Sequence, residues 1–534
     1  MGSSTPRHGL PLKKVALVAI SLFLLIYLAT YFRSTRVESL DTTNVEPFVT
    51  ETAGPFVTGI AGPLATASLN PFETTDVKEP SYDVHKYAQP IGADGNITQS
   101  HAESWKSLLE QIKRFPPAEE EPQKTSDLRE RFPLFREAKN DSFQQCYSMT
   151  DESLLKTQRA HAAFVANIVA DPPSLYYRPG TRGLVATVGP EQLPLLVINL
   201  RMLRRTGSTS PVEVFLSSPK DYEPFICEVV LPALNAHCLI LSDILDVDGF
   251  SGYQFKFLSI LFSTFEEMLF LDADVFAIRN PDSLFGSEPF KSYGYVVWPD
   301  FWASTASPYI FTITSQPVPP RALRPTVEAG ELLFSRKTHQ MSLFLVAYYN
   351  YYGPSHYFGL FTQGGAGEGD KETWHTAAAV MKQPFYQVHD PIQGIGRSLW
   401  GSDNGNAMVQ YDPTVDYLRT GSDEHGHIAQ NPRAQPMFIH ANEPEFNPRA
   451  LVGKDDDSRK GRTWQDGQRS RIWPLEVPVM ETLGDDIEKQ LWEEVMWAAC
   501  ELEGKFVDWE SWDDNKSMCE RVRDAWNDIF LREQ

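Results

Sequence analysis

From Arg182 onward, short apolar runs alternate with amphipathic stretches. "RGLVATVG", which ends at Gly189-Pro190, is rich in β-branched residues and predicts a strand; "QLPLLVINLRMLRRTG", closed by Gly207, predicts a helix; "VEVFLSS" predicts a second strand. Strand, helix, strand is the parallel unit of an α/β domain, because parallel neighbours need a crossover between them. "FICEVVLPAL" and "CLILSDIL" continue the alternation, and "YQFKFLSILFST" supplies another helix. The doubly wound pattern therefore extends to about residue 300.

The pattern upstream is different. "VALVAISLFLLIYLATYF", Val15 to Phe32, is eighteen residues without a charge. As a helix it roughly matches a bilayer core of about 30 Å. Arg7, Lys13 and Lys14 precede it, and Arg33 and Arg36 follow. The reading is a transmembrane signal anchor over 15–32 behind a cytoplasmic tail of 1–14. A cleaved signal peptide is the weaker alternative, since the run exceeds a usual h-region and no A-x-A site closes it. Thr, Ser, Gly and recurring Pro fill 33–100, a composition that buries too little to order itself and reads as a lumenal stem. "AESWKSLLEQIKRF" and "DESLLKTQRAHAAFVANIV" show apolar spacing of three to four and predict a helical lead-in over 101–180. The main domain is placed at 181–450. A charged loop and Trp-rich packing helices occupy 451–534.

Composition narrows the partners. At 42% hydrophobic, with 12 Trp, 20 Tyr and 32 Phe, the chain buries a large core. Against 48 basic residues stand 70 acidic ones, a formal charge of −22 that repels phosphate backbones and argues against nucleic acid. The N-x-S/T sequons at Asn96, Asn140 and Asn515 agree with a lumenal body. Five cysteines lack zinc spacing; an oxidising lumen allows one or two disulfides, and Cys227 with Cys238 and Cys500 with Cys519 are the nearest pairs.

Candidate chemistry centres on "FEEMLFLDADVFAIRNP". Met268 to Leu271 has the length of a buried strand, and Asp272 and Asp274 stand at its carboxyl end, where open α/β sheets gather ligands. Two neighbouring acids repel each other unless a cation lies between them, and a hard divalent ion shared with substrate phosphates fits. The competing reading is a helix N-cap or a solvated turn acid.

"YQFKFLSILFSTFEEMLFLDADVFAIRNPDSLF", "VEAGELLFSRKTHQMSLFLVAYYNYYGP", "QGGAGEGDKETWHTAAAV" and "MFIHANEPEFNP" resemble, in order, the blocks of the fungal Golgi α-mannosyltransferases that extend mannan side chains. The resemblance covers about residues 180 to 450. It implies an α/β, GT-A-like nucleotide-sugar transferase domain with a mostly parallel central sheet, in a single-pass type II Golgi membrane protein with a lumenal catalytic domain. It also implies a GDP-mannose donor, a mannose-containing oligosaccharide or glycoprotein acceptor, Mn2+ as the divalent metal, and retention of the α configuration. Many members follow the acids with Asn where this chain has Val275. The "GEGDKET" loop most resembles the α-1,2 members.

Individual residues carry paired readings. His440, ending the strand-like "MFIH", is a third metal ligand by the resemblance or a hydrogen-bonded loop histidine by itself. Lys256 neutralises a donor phosphate or snorkels to solvent. Gly364, Gly365, Gly367 and Gly369 permit close backbone approach, and Gly367 and Gly369 are assigned to the donor sugar. Asp370 binds mannose hydroxyls or stabilises charge at the anomeric carbon, and as a local feature reads as a helix N-cap. Glu328 and Glu331 in "TVEAGELLF" are catalytic candidates against the commonness of exposed loop acids. Asp300 in "VVWPDFW" suits a donor sugar, while Trp298 suits the core. Front-face attack is the preferred mechanism, with Asp370 the alternative nucleophile. Two further readings stay open: an α-1,3 or other nucleotide-sugar transferase, and a non-catalytic scaffold subunit of a Golgi glycosyltransferase complex.

Overall fold

The structure, a computed structural model, describes residues 95–531 apart from 368, 397–406, 421–433, 442, 453–462, 466, 475–482, 507–508 and 510–515. The expected tail and anchor, most of the stem, Asn515 and most of the charged loop after 450 lie outside the described residues. Among the described residues no helix is long and apolar enough to cross a membrane.

The first described helix, α1 (Gly95–Arg114), begins inside the segment read as stem, because its apolar period starts at Ile97 and continues through Trp105, Leu108 and Ile112, all buried. Helix α2 (Asp151–Ala170) follows, N-capped by the Thr150 side chain. Then come β1 (Arg178–Thr187), α3 (Leu193–Arg205), β2 (Val212–Leu216), β3 (Ala236–Ile240), α4 (Gln254–Phe262) and β4 (Phe265–Leu271). After these stand β5 (Val275–Ala277), β6 (Tyr295–Pro299), β7 (Val327–Ser335), α5 (Gln340–Tyr351) and α6 (Lys371–Val380). Strands β8 (Tyr386–Gln387), β9 (Gln393–Ile395), β10 (Ala407–Tyr411) and β11 (Pro436–His440) follow, ahead of α7 (Ile487–Glu501) and α8 (Met518–Trp526).

Seven strands form the main sheet in the order β8-β6-β7-β4-β1-β2-β3. Its pairings are parallel except at β7, which is antiparallel to both β4 and β6. Both faces are covered, so the strands alternate between two cores: Leu184, Ala186, Leu269 and Leu271 enter one, Val185, Met268 and Phe270 the other. Helix α3 is buried through Leu203 because α7 covers its far side, and it ends at Gly207 in a left-handed conformation (φ +84°). Helices α4, α5 and α6 cover the opposite face.

A second, antiparallel sheet, β9-β10-β11-β5, joins the first through the short turn between β4 and β5. Disulfides link Cys227 with Cys238 and Cys500 with Cys519, the latter stapling α7 to α8, and Cys146 is free and buried. Because β7 is reversed, its amino end lies on the same edge as the carboxyl ends of β6, β4 and β1. That edge holds the candidate site residues.

Candidate active site

Strand β4 stops at Leu271, but Asp272 N still donates to Gly330 O of β7 (2.8 Å), and Val275 N donates back to Asp272 O (3.1 Å) to close a turn. The turn is gripped from beneath. Asn199 of α3, buried, places Nδ2 at 2.7 Å from Val275 O, 3.1 Å from Ala273 O and 3.2 Å from Asp272 O. Sequence reasoning missed this residue. Its signal was a lone amide inside the apolar run "LVINL", since a buried amide must find partners.

Asp272 and Asp274 do not share one partner. Asp272 Oδ2 accepts from Lys256 Nζ at 2.9 Å, and Lys256 also donates to Ala329 O at 2.7 Å. The side chain of Lys256 therefore runs inward from α4; the solvent-snorkelling reading is wrong, because two acceptors await the ammonium under β7. Asp274 Oδ2 instead lies 3.3 Å from His440 Nε2, and His440 ends β11 as expected. On its other side His440 Nδ1 is 3.8 Å from Glu328 Oε1. Gly330 permits this approach: a Cβ there would lie 2.9 Å from Val275 Cγ2 and 3.3 Å from His440 Cε1.

Glu328 and Glu331 are not loop acids. Both lie within β7 and are buried, and Glu328 Oε1 accepts from Ala329 N (2.9 Å) and Gly330 N (3.0 Å). Neither carboxyl oxygen of Glu331 has a hydrogen-bond partner. Lys371, the first residue of α6, contacts Asp300 and stands 3.4 Å from Glu328 Oε2. Asp370 does not cap α6 with its side chain; its Oδ2 accepts from Trp374 Nε1 (2.9 Å) and lies 4.0 Å from Lys256 Nζ. Asp370 thus holds the N-cap position of α6, as one reading expected, but its carboxylate makes no capping hydrogen bond. Gly367 (φ +77°) and Gly369 (φ +110°) lead into this corner, and a Cβ on Gly369 would meet Tyr253 Cδ2 at 2.4 Å. Trp298 is core, its indole donating to Tyr411 O.

Electrostatics sort these groups. Burial pushes the Asp272 carboxyl up to about 6 against the pull of Lys256. Burial acts the same way on Asp274, but the His440 imidazolium outweighs it and holds that carboxyl below the usual range. For His440 itself, burial is overcome by Asp274, which raises the imidazole to about 10. Glu328, also buried, is drawn down to about 2, chiefly by Lys371 and His440. Burial, reinforced by the Glu328 charge, holds Glu331 well above the carboxylate range, so it is a neutral acid.

The donor types fit a divalent cation. Among the described residues of this cluster, Asp272, Asp274, Asp300, Glu328 and Asp370, beside the neutral Glu331, face only Lys256, Lys371 and His440 as cations, leaving negative charge in excess. The most exposed of these acids are the two at the turn, with Asp272 at 30% and Asp274 at 18% of side-chain surface. No three His, Cys, Asp or Glu side chains among the described residues already stand at metal-holding spacing. For His440 to ligate, its contact with Asp274 must open and a proton must leave.

Fold and site together define an α/β protein with a densely charged cleft at one sheet edge. A mannosyltransferase family matches residues 181–322 and 319–412. The α-1,2-mannosyltransferase MNN21 of Candida albicans is 31% identical over 425 residues, 67% of this chain and 63% of that protein. The α-1,2-mannosyltransferase MNN2 of Saccharomyces cerevisiae is 30% identical over 380 residues, 57% of this chain and 63% of that protein. Among solved structures, galactosyltransferase LgtC with donor and acceptor sugar analogs overlaps 39% of this chain and 73% of its own at 11% identity and a TM-score of 0.26. The chain belongs to the fungal mannosyltransferase family, on its sequence relatives alone.

Proposed function

We propose that the protein is a GT-A-like α-mannosyltransferase that moves mannose from GDP-mannose to a mannose-containing glycan with retention, forming an α-1,2 linkage, and that it works as a single-pass type II Golgi membrane protein. The observation that carries the reading is the convergence of Asp272, Lys256, Glu328, Asp370 and Lys371 at one sheet edge. Relatives named α-1,2-mannosyltransferases support the donor sugar and the linkage. A scaffold gains nothing from burying so many acids, each of which costs desolvation energy.

Asp272 and Asp274, with His440 after it loses its proton, are the groups to hold Mn2+. Such an ion, when bound, offsets the charge that appears on the diphosphate as the sugar departs. The protein's own groups do the rest. Lys256 fixes the Asp272 carboxylate from inside, and Asn199 fixes the backbone of the turn. Asp370, held by Trp374, presents a fixed carboxylate for mannose hydroxyls or for positive charge developing at the anomeric carbon. Glu328, kept ionised, anchors Lys371 and His440. Glu331, kept neutral, is suited to hydrogen bonding and not to nucleophilic attack, which leaves Asp370 as the alternative nucleophile to front-face attack.

The test uses the full chain in detergent with GDP-mannose, Mn2+ and an α-mannose oligosaccharide, beside Asp274→Ala. The expected result is metal-dependent transfer by the parent protein and at least a hundredfold loss in the variant, an order of magnitude typical of removing a preorganised electrostatic group. Linkage analysis of the product decides between α-1,2 and α-1,3. Transfer from another nucleotide sugar in place of GDP-mannose, or none from any donor by folded protein, would sink the proposal.

A further inference from the structure

The active edge does not end at β7. Strands β6 and β8 are parallel, so Asp300 after β6 and Val388-His389 after β8 emerge on the same edge as Asp272, but across β7 from it. Between them lies a cleft of about 1190 Å³. Asp300 belongs to both places: it lines this cleft, and its carboxylate contacts Lys371, which stands 3.4 Å from Glu328. The cleft thus borders the charged cluster at Asp300.

Its walls are aromatic with a polar rim. Phe135 and Phe301 form one side, tied by the hydrogen bond from Phe135 N to Phe301 O (2.7 Å). Tyr386 and Tyr417 form another, their ring centroids 5.5 Å apart. The exposed side chains of Arg136 and His389 stand at the margin. Aromatic faces meet the C–H faces of sugars, and guanidinium and imidazole groups take hydroxyls, so this lining suits an uncharged, hydroxyl-rich ligand. The volume exceeds the usual range of about 300–1,000 Å³ for a small-molecule pocket, which points to an extended ligand and not to one ring.

We infer that this cleft is the acceptor subsite, binding an oligosaccharide whose terminal unit lies at Asp300 and whose preceding units lie along Phe135, Phe301 and Tyr417. The assignment rests on the functional reading above and names the substrate class of the same site. It makes the protein selective for chain length: a single sugar fills only the inner end.

The experiment measures binding of a linear α-mannotetraose and of methyl α-mannoside to the full chain by calorimetry, with GDP binding and transfer measured in parallel. The variants are Tyr417→Ala, which removes an aromatic wall, and Arg136→Ala, which touches only the exposed rim. The parent protein is expected to bind the tetrasaccharide at least tenfold more tightly than the monosaccharide. Tyr417→Ala should cut tetrasaccharide affinity roughly tenfold and Arg136→Ala a few-fold, the scale of truncating one contact in a binding site, with GDP affinity unchanged. Equal affinity for the two sugars, or tetrasaccharide affinity untouched by both variants, overturns the cleft whether or not transfer occurs. Tyr417-dependent tetrasaccharide binding without any mannosyl transfer upholds the cleft and removes the functional reading instead.

Discussion

Lys256 ties the site together electrostatically, and Lys256→Met tests how strongly. Its ammonium lies 2.9 Å from Asp272 Oδ2 and 4.0 Å from Asp370 Oδ2. At an effective dielectric of about 20 these separations correspond to gross attractions of about 6 and about 4 kcal/mol. Desolvation of the buried ammonium opposes that gain, and water at the partly exposed Asp272 screens it. Removing one partner of a buried pair typically costs about 3–5 kcal/mol, because the other charge stays behind unpaired. Lys256→Met strands two carboxylates and should fall in that range. Asp272→Asn strands the ammonium less completely, since Asp370 and Ala329 O remain. The double variant should be more stable than the sum of the single losses by about 2–3 kcal/mol. Urea unfolding of the full chain, followed by tryptophan fluorescence, reads all four corners of the cycle and needs no activity. Additive losses, within about 0.5 kcal/mol, would refute the coupling and with it the claim that Lys256 positions the turn acid.

Asn199→Ala leaves carbonyls of the 272–275 turn without their buried donor, at about 1–3 kcal/mol for each group left unsatisfied. If the proposed activity holds, kcat should fall further than donor KM rises, since the turn is misplaced and not removed; unchanged kcat and stability would show that the turn holds itself. Glu488 of α7 is buried while accepting from Ile472 N and Trp473 N, and burial pushes it up to about 7. A carboxyl raised in the folded state stabilises below its unfolded pKa of about 4.3 and loses that contribution as pH climbs through about 7, roughly 4 kcal/mol in all. The unfolding free energy of the parent protein should therefore drop more steeply from pH 5 to pH 8 than that of Glu488→Gln; parallel curves would refute the assignment.

The elements legible in the sequence are those whose residues obey a local period. Leu184 to Ala186 and Met268 to Leu271 announce strands because both faces of the sheet are covered, and the acids after Leu271 are visible because an apolar run ends on them. His440 is visible as the end of "MFIH" for the same reason. The reversal of β7 is not legible, since an antiparallel strand buried on both faces has the same composition as a parallel one. Nor is the start of α1 at Gly95, where a weak apolar period emerges from a segment otherwise rich in turn formers.

The competing local readings of the site residues are the ones the structure sets aside. Glu328 and Glu331 would be exposed because a carboxylate inside a strand is costly, Asp370 would cap because an acid before a helix usually does, and Lys256 would reach solvent because an unpaired buried ammonium is prohibitive. Each of these expectations is sound for a residue taken with its near neighbours. For Lys256 and Glu328 the compensating partner is distant in sequence: Lys256 meets Ala329 and Asp370, Lys371 meets Asp300 and Glu328, and Asp274 likewise meets His440, whereas Asp370 is turned by Trp374 four residues on and Glu331 stays without a hydrogen-bond partner. Burial of one charge is tolerable only when the others arrive, so the cluster forms as a unit or not at all. That mutual dependence is also why so many buried charges gather at one sheet edge: under the proposed function, a cluster that breaks local rules together, at a cost in folding energy, is where a reaction outweighs stability.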